Sequence, residues 1–390
     1  MLIVLLVVNL LFLFLFPKIY LFIYLFVRSI GNFRNIKYIS LLDLLIFIYL
    51  GLSLSIMLAD RPYYLGKDIG FGEDMFHYYN AFNWIIHNNF FLFIKEFGTI
   101  VNLTGSSEPF FWLVVKLISL FTSSEYFIHV LLTFLGLLLI YIAGQIWNKC
   151  GLLFIFLYTN TITMFAFQGS AIRSGLAFSF GMIGYAFLLK NKFKIINFLS
   201  PFFHFSMIPV PLITYASNTN YKSPKEIIIL LLISLISIFP FVFFAFNSIE
   251  VGLGAKVAAR FSENNVDINS SIQFLVESIF TFIIIFYFFR GKINKSLKNG
   301  FIYFFIVALL LLVISPTSFA RFYRYGYIFM IYIYSLVFLT SNQYIKILIL
   351  CFSLSWFIFI GLDRFIGVFA ENIFDFLGYN LFFRFNLGIE

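Results

Sequence analysis

The groups able to do chemistry in this chain are few, and they sit in short polar breaks between long apolar runs. Arginine leads them. Gln168-Gly-Ser-Ala-Ile-Arg173-Ser-Gly places one guanidinium at the start of an apolar helix among Gly169, Ser170, Ser174 and Gly175, where backbone amides and a fixed charge suit a phosphate. Ser315-Pro-Thr-Ser-Phe-Ala-Arg321-Phe-Tyr-Arg324-Tyr325-Gly places two more, three residues apart on one face of a predicted helix start. Arginine stays charged and binds phosphate oxygens through a bidentate fork, so such a pair can grip a pyrophosphate. Lys256 and Arg260 are a third cationic candidate. Asp74, in Glu73-Asp74-Met-Phe-His77-Tyr78, and Glu108, in Ser106-Ser107-Glu108-Pro109, are acids suited to take a proton from a hydroxyl or to orient sugar hydroxyls, with Tyr78 beside the first. His204, in Ser200-Pro-Phe-Phe-His204-Phe-Ser206, can bind substrate or move a proton. Each has a plainer alternative: headgroup anchoring for the arginines, helix capping for the acids, and a hydrogen-bonded core position for the histidine.

The elements that must hold these groups are set by the apolar runs. Hydrophobic residues make up 62% of the 390 positions and charged residues 11%, against about 25% charged in a soluble domain. Runs of about 17 to 25 apolar residues are long enough to cross a bilayer core. They predict an all-α, polytopic bundle of about ten spans in one integral membrane domain covering 1–390. The predicted spans are 2–27, 39–58, 125–147, 151–167, 174–189, 226–247, 271–289, 299–315, 326–340 and 344–360. The first reads as a retained helix, having no basic leader and no small-residue cleavage site. Between the fifth and sixth spans, 195–216 carries Pro201, Pro209 and Pro211 and predicts a re-entrant pair of half-helices.

Charge orients the bundle. Basic loops 28–37, 190–194 and 290–298 belong on the cytoplasmic side, and a re-entrant 195–216 adds Lys222 and Lys225 to it. The long segment 59–124, with 168–173, 248–270, 316–325 and 361–390, then faces outward and carries nearly all the acids. Apolar positions in 59–124 predict interfacial helices near 74–90 and 108–121. A net charge of +9 scattered through short loops is topological and gives no nucleic-acid surface. Cys150 and Cys351 are too few for a disulfide framework, the histidines are not spaced as a metal site, and nothing in the sequence requires a metal or cofactor.

Taken in order, these motifs resemble the bacterial polysaccharide polymerases of the EpsG/Wzy type, which include the O-antigen polymerases. The resemblance runs through most of the chain. Its features are Asp74 with Tyr78 in the first outer segment, Glu108-Pro109 before an amphipathic helix, and Ala171-x-Arg173-x-Gly175-Leu-Ala177 opening a helix. A basic turn, Phe203-His204-x-Ser206 and the late Arg321-x-x-Arg324 follow. The chain departs from the family at Met207, where a small residue is usual, and at Ser174, where some members carry Gln.

The resemblance implies a GT-C-like membrane glycosyltransferase, metal-independent and without a cofactor, in the bacterial inner membrane with its site facing the periplasm. It would move a glycan from undecaprenyl pyrophosphate to a lipid-linked repeat unit. Asp74, Glu108, Arg173 and His204 would be the reacting groups, and Arg321, Arg324, Arg260, Lys256, Tyr78 and Tyr325 would bind pyrophosphate and glycan. The implied partners are the lipid-linked oligosaccharides, membrane lipids and a regulator of chain length. Two rivals remain. A lipid-linked oligosaccharide flippase would lack the large outer segment with paired acids and would show halves of similar topology. A membrane glycan acyltransferase would need an acyl-donor site reached from the cytoplasm, whereas the charged candidates gather outside.

Overall fold

The computed structural model describes residues 13, 16–30, 39–64, 73–106, 108–218, 268–288, 293–314, 319 and 322–365. Every regular element among them is helical. In chain order these are α1 (Pro17–Ile30), α2 (Ile39–Tyr64), α3 (Glu73–His87), α4 (Phe90–Lys95), α5 (Phe97–Thr104), α6 (Pro109–Ile118), α7 (Glu125–Asn148) and α8 (Gly151–Thr159). After α8 come a single turn and a π-helical segment, Phe165–Ser170, and then α9 (Ile172–Leu189), α10 (Pro209–Asn218), α11 (Ile268–Ile283), α12 (Lys295–Ile314), α13 (Tyr327–Thr340) and α14 (Gln343–Phe365). Among the described residues, four segments are long and apolar enough to cross a membrane: Leu41–Ala59, Glu125–Asn148, Ile172–Leu189 and Lys295–Val313. Pro109–Ile118, Ile272–Tyr287 and Gln343–Trp356 are shorter apolar helices, and the expected span at 226–247 lies outside the described residues.

The described residues fall into two compact units, the first within Met1–Thr104, Trp112–Leu176 and Phe338–Glu390, the second within Gly105–Phe111 and Ala177–Val337. In the first unit α2 lies along α7. Phe47 stacks on Tyr141 with centroids 4.4 Å apart, and a Cβ on Gly51 would come within 3.1 Å of Phe134. The α7–α8 hairpin is tight because Gly144 and Gly151 lack side chains: a Cβ on Gly144 would sit 2.8 Å from the Gly151 Cα. Asp43 of α2, 4% exposed, accepts from Arg28 at 2.7 Å and from Tyr24 at 2.6 Å, fixing α1 to α2. Lys116 of α6 donates to the carbonyls of Ile85 and Asn88 where α3 ends, and burial pulls its ammonium below the usual lysine range.

Two expected elements take a different form. The span expected at 151–167 is broken after Thr159. There the Thr159 and Thr161 hydroxyls donate to the carbonyls of Phe156 and Tyr158, competing with the helical ladder, and Lys18 takes the Thr159 carbonyl at 3.0 Å. The Thr161 hydroxyl then accepts from the Met164 amide as the chain turns helical again, and the widened π segment carries it to Ala171.

In the second unit, 195–216 is not a pair of half-helices. Its first half is three short 3₁₀ turns, Lys194–Phe198, Ser200–Phe202 and Phe205–Met207, and only α10 is a helix, with Pro209 and Pro211 in its first turn, where proline is tolerated. Asn197 ties the halves together by donating to the Pro211 carbonyl and to Thr214. Asn218, at the end of α10, donates to the carbonyl of Leu188 in α9 at 3.4 Å, so the segment returns to the end of the helix it left. Within 59–124, helices stand where two were expected, as α3 and α6, and two further short helices, α4 and α5, lie between them.

Candidate functional site

The second unit brings together two sequence candidates 96 residues apart. Glu108 stands immediately before Pro109, the first residue of α6, and only 4% of it is exposed. His204 occupies an extended residue (φ −162°) between two 3₁₀ turns, where the chain has no helical ladder to satisfy. Its Nδ1 lies 2.8 Å from Glu108 Oε1, while Glu108 Oε2 accepts from the Ser106 hydroxyl. An ionised carboxylate only accepts, so Nδ1 carries the proton of this bond and the ring exchanges protons through Nε2. Phe110 stacks on Phe202 at 4.9 Å, and Phe180 stacks on Phe203 at 4.2 Å, clamping the residues on either side of the pair. A charge-assisted hydrogen bond of this kind is worth about 1.5–3 kcal/mol. Two residues beyond the histidine, Ser206 Oγ is bonded to Tyr325 Oη at 2.7 Å, which ties this turn to Tyr323–Gly326.

Arg324 lies in that same Tyr323–Gly326 turn, half-buried, and its Nε is a buried donor with no hydrogen-bond partner among the described residues. The turn that carries Arg324 is 3₁₀ and leads into α13 at Tyr327. Arg321, Lys256 and Arg260 lie outside the described residues, as does the side chain of Asp74, whose backbone is in the first turn of α3.

In the first unit Arg173 sits in the first turn of α9, as expected. Its Nε donates to Tyr78 Oη at 2.8 Å, with the guanidinium carbon 5.3 Å from the centre of the same ring. Tyr78 is 2% exposed and packs edge-on against Trp112. A guanidinium so held at a helix start presents a fixed positive charge. Among the described residues, no three His, Cys, Asp or Glu side chains gather as a metal site.

Several polar residues around these groups escaped sequence reasoning. Ser106 was visible only as part of Ser106-x-Glu108-Pro109, and Gln168 only as the head of the Arg173 motif. Gln168 is fully buried, its amide lying where Cβ atoms on Gly136 and Gly175 would otherwise be, at 2.7 and 2.8 Å. Glu277 was passed over inside an apolar run. It is 7% exposed and bonded to Tyr327 and Gln273, and the i, i+4 spacing of Gln273 and Glu277 was the available signal.

The chain is similar to two curated proteins, both named EPS I polysaccharide export inner membrane protein EpsF. The one from Ralstonia nicotianae is 25% identical over 333 residues, 78% of this chain and 77% of that protein. The one from Ralstonia solanacearum is 25% identical over 326 residues, with the same coverage. No solved structure matches the chain. The EpsG family profile matches residues 63–380, which include Glu108, Arg173, His204 and Arg324, and the chain belongs to the EpsG family.

Proposed function

We propose that this chain is a polysaccharide polymerase of the bacterial inner membrane, with about ten spans in a GT-C-like frame. In this reading a hydroxyl of one lipid-linked repeat unit attacks the anomeric carbon of a glycan carried on undecaprenyl pyrophosphate, at the periplasmic face. The new carbon–oxygen bond forms as the bond to pyrophosphate breaks. The hydroxyl proton passes to His204, held by Glu108, and the pyrophosphate leaves with the electron pair. Arg173, Arg321 and Arg324, each taken from its own motif, are the proposed partners for that developing charge. Asp74 keeps its proposed place among the reacting groups, Lys256, Arg260, Tyr78 and Tyr325 keep theirs in binding pyrophosphate and glycan, and apolar grooves take the polyprenyl tails. A regulator of chain length is the proposed protein partner.

The observation that carries this reading is the Glu108–His204 pair, in which two weak motifs far apart in sequence converge on one acid–base unit. Membership of the EpsG family and relatives named for a polysaccharide support it. Those same names speak of export, and that favours a second reading in which the chain moves lipid-linked glycan across the membrane. The glycan ladder of cells expressing Glu108→Gln or His204→Ala separates the two. Polymerisation predicts at least a hundredfold loss of long chains, the order contributed by general base catalysis, with single repeat units still displayed outside. A full ladder in both variants sinks the acid–base role, and repeat units stranded on the cytoplasmic side establish the export reading instead.

A further inference from the structure

Tyr78, the partner of Arg173, stands at the start of a further chain of polar contacts, all within the first unit. Tyr78 and Tyr79 are neighbours on α3 and face different partners. Tyr78 accepts from Arg173, while Tyr79 Oη lies 3.0 Å from His129 Nδ1 on α7. His129 is fully buried, and its Nε2 lies 3.4 Å from the backbone carbonyl of Gln168, which also accepts from Thr133. Gln168 belongs to the π segment five residues before Arg173. The path from Arg173 through Tyr78 and Tyr79 to His129, and from His129 through Gln168 back along the chain to Arg173, therefore closes on itself.

A backbone carbonyl only accepts, so the tautomer that fits this circuit has the His129 proton on Nε2 and Nδ1 accepting from the Tyr79 hydroxyl. Ala59 O, at 3.5 Å, is the longer alternative for that hydroxyl's one proton. The π segment is a departure from regular helix, and its register decides where α9, and with it Arg173, begins. His129 thus links the segment that sets the arginine's position to the helix that carries the arginine's tyrosine.

We propose that His129 and Tyr79 are positioning residues that hold the Arg173 guanidinium at its diphosphate-binding geometry. This rests on the role given to Arg173 above. A misplacement of about 1 Å costs on the order of a hundredfold in such sites, so loosening one link should be measurable. The test uses the full chain in lipid nanodiscs, with inorganic pyrophosphate as probe, beside the cellular glycan ladder. Tyr79→Phe, which keeps the ring and removes one hydroxyl, and His129→Leu should each weaken pyrophosphate binding about tenfold and shorten the ladder while leaving the thermal midpoint of Tyr79→Phe unchanged. His129→Gln, whose amide also donates at one end and accepts at the other, should restore both. Wild-type binding in Tyr79→Phe, where Arg173→Ala binds weakly, overturns the positioning role alone. Failure of His129→Gln to improve on His129→Leu does the same. Wild-type binding and ladder in Arg173→Ala overturn this inference and the arginine's role together.

Discussion

Glu108 and Arg173 are held in different ways, and their substitution should differ accordingly. Glu108 accepts from a serine and from a histidine, so its function is that of an acceptor pair. Arg173 donates through Nε to Tyr78 while its guanidinium lies near the same ring. Lysine can supply the charge but neither the fork nor the flat stacking surface. Arg173→Lys should therefore reduce chain extension by about two orders of magnitude at unchanged expression. Tyr78→Phe, which retains the ring and loses the hydroxyl acceptor, should cost about tenfold. Ladder densitometry on membranes of matched protein content checks both, and equal activity of Arg173→Lys and wild type would remove the guanidinium geometry from the mechanism. At this scale the sequence was informative about identity. Glu108, Arg173 and His204 were each visible as a polar residue in an apolar setting, but Ser106 as the second donor to the carboxylate was not, because a serine two residues from a charge has no pattern of its own.

Among the elements, the long apolar helices are where pattern and structure agree, as at α7, expected at 125–147 and found at Glu125–Asn148. The irregular pieces are where they diverge. Hydropathy could not register that the threonines at 159 and 161 and the buried Lys18 end α8, since the lysine is 141 residues away in sequence. Prolines marked the break in 195–216, but its 3₁₀ turns depend on Asn197 reaching Pro211 and Thr214 across the fold. The close passage of Gln168 between two glycines gives a prediction at this scale. Gly136→Ala would place a methyl 2.7 Å from the Gln168 amide, where something must shift. It should destabilise the protein by about 1–3 kcal/mol, read as a lowered thermal midpoint in detergent, whereas Gly98→Ala, with no neighbour near its Cβ, should be neutral. Equal midpoints for the two variants would show that the slot yields.

For the whole molecule, orientation in the bilayer is the property on which the proposed chemistry depends. Lys190 and Lys192 follow α9, and Lys295 and Lys298 open α12. The two ends are joined through Tyr185, Asn218 and Ser296, so the basic residues of two loops gather at one end of the second unit. The positive-inside tendency assigns that end to the cytoplasm. In a Cys150→Ser, Cys351→Ser background, Lys192→Cys should resist a membrane-impermeant thiol reagent added to spheroplasts, and Glu96→Cys, on the exposed turn between α4 and α5, should react. The reverse pattern would put the proposed polymerase chemistry on the wrong side of the membrane.

By itself the sequence determined that this is a helical membrane protein, which residues carry its rare charges, and the family to which their order belongs. Those properties are local or cumulative: a run of apolar side chains must leave water wherever the rest of the chain goes, and a motif is read along the chain. Only the tertiary structure decided that Glu108 meets His204, that Tyr78 takes Arg173, and that His129 joins Tyr79 to Gln168. Each of these is a contact between residues tens of positions apart, fixed by how helices and their breaks pack. A hydrogen bond forms only when donor and acceptor come within about 3.5 Å, a proximity that hydropathy does not encode.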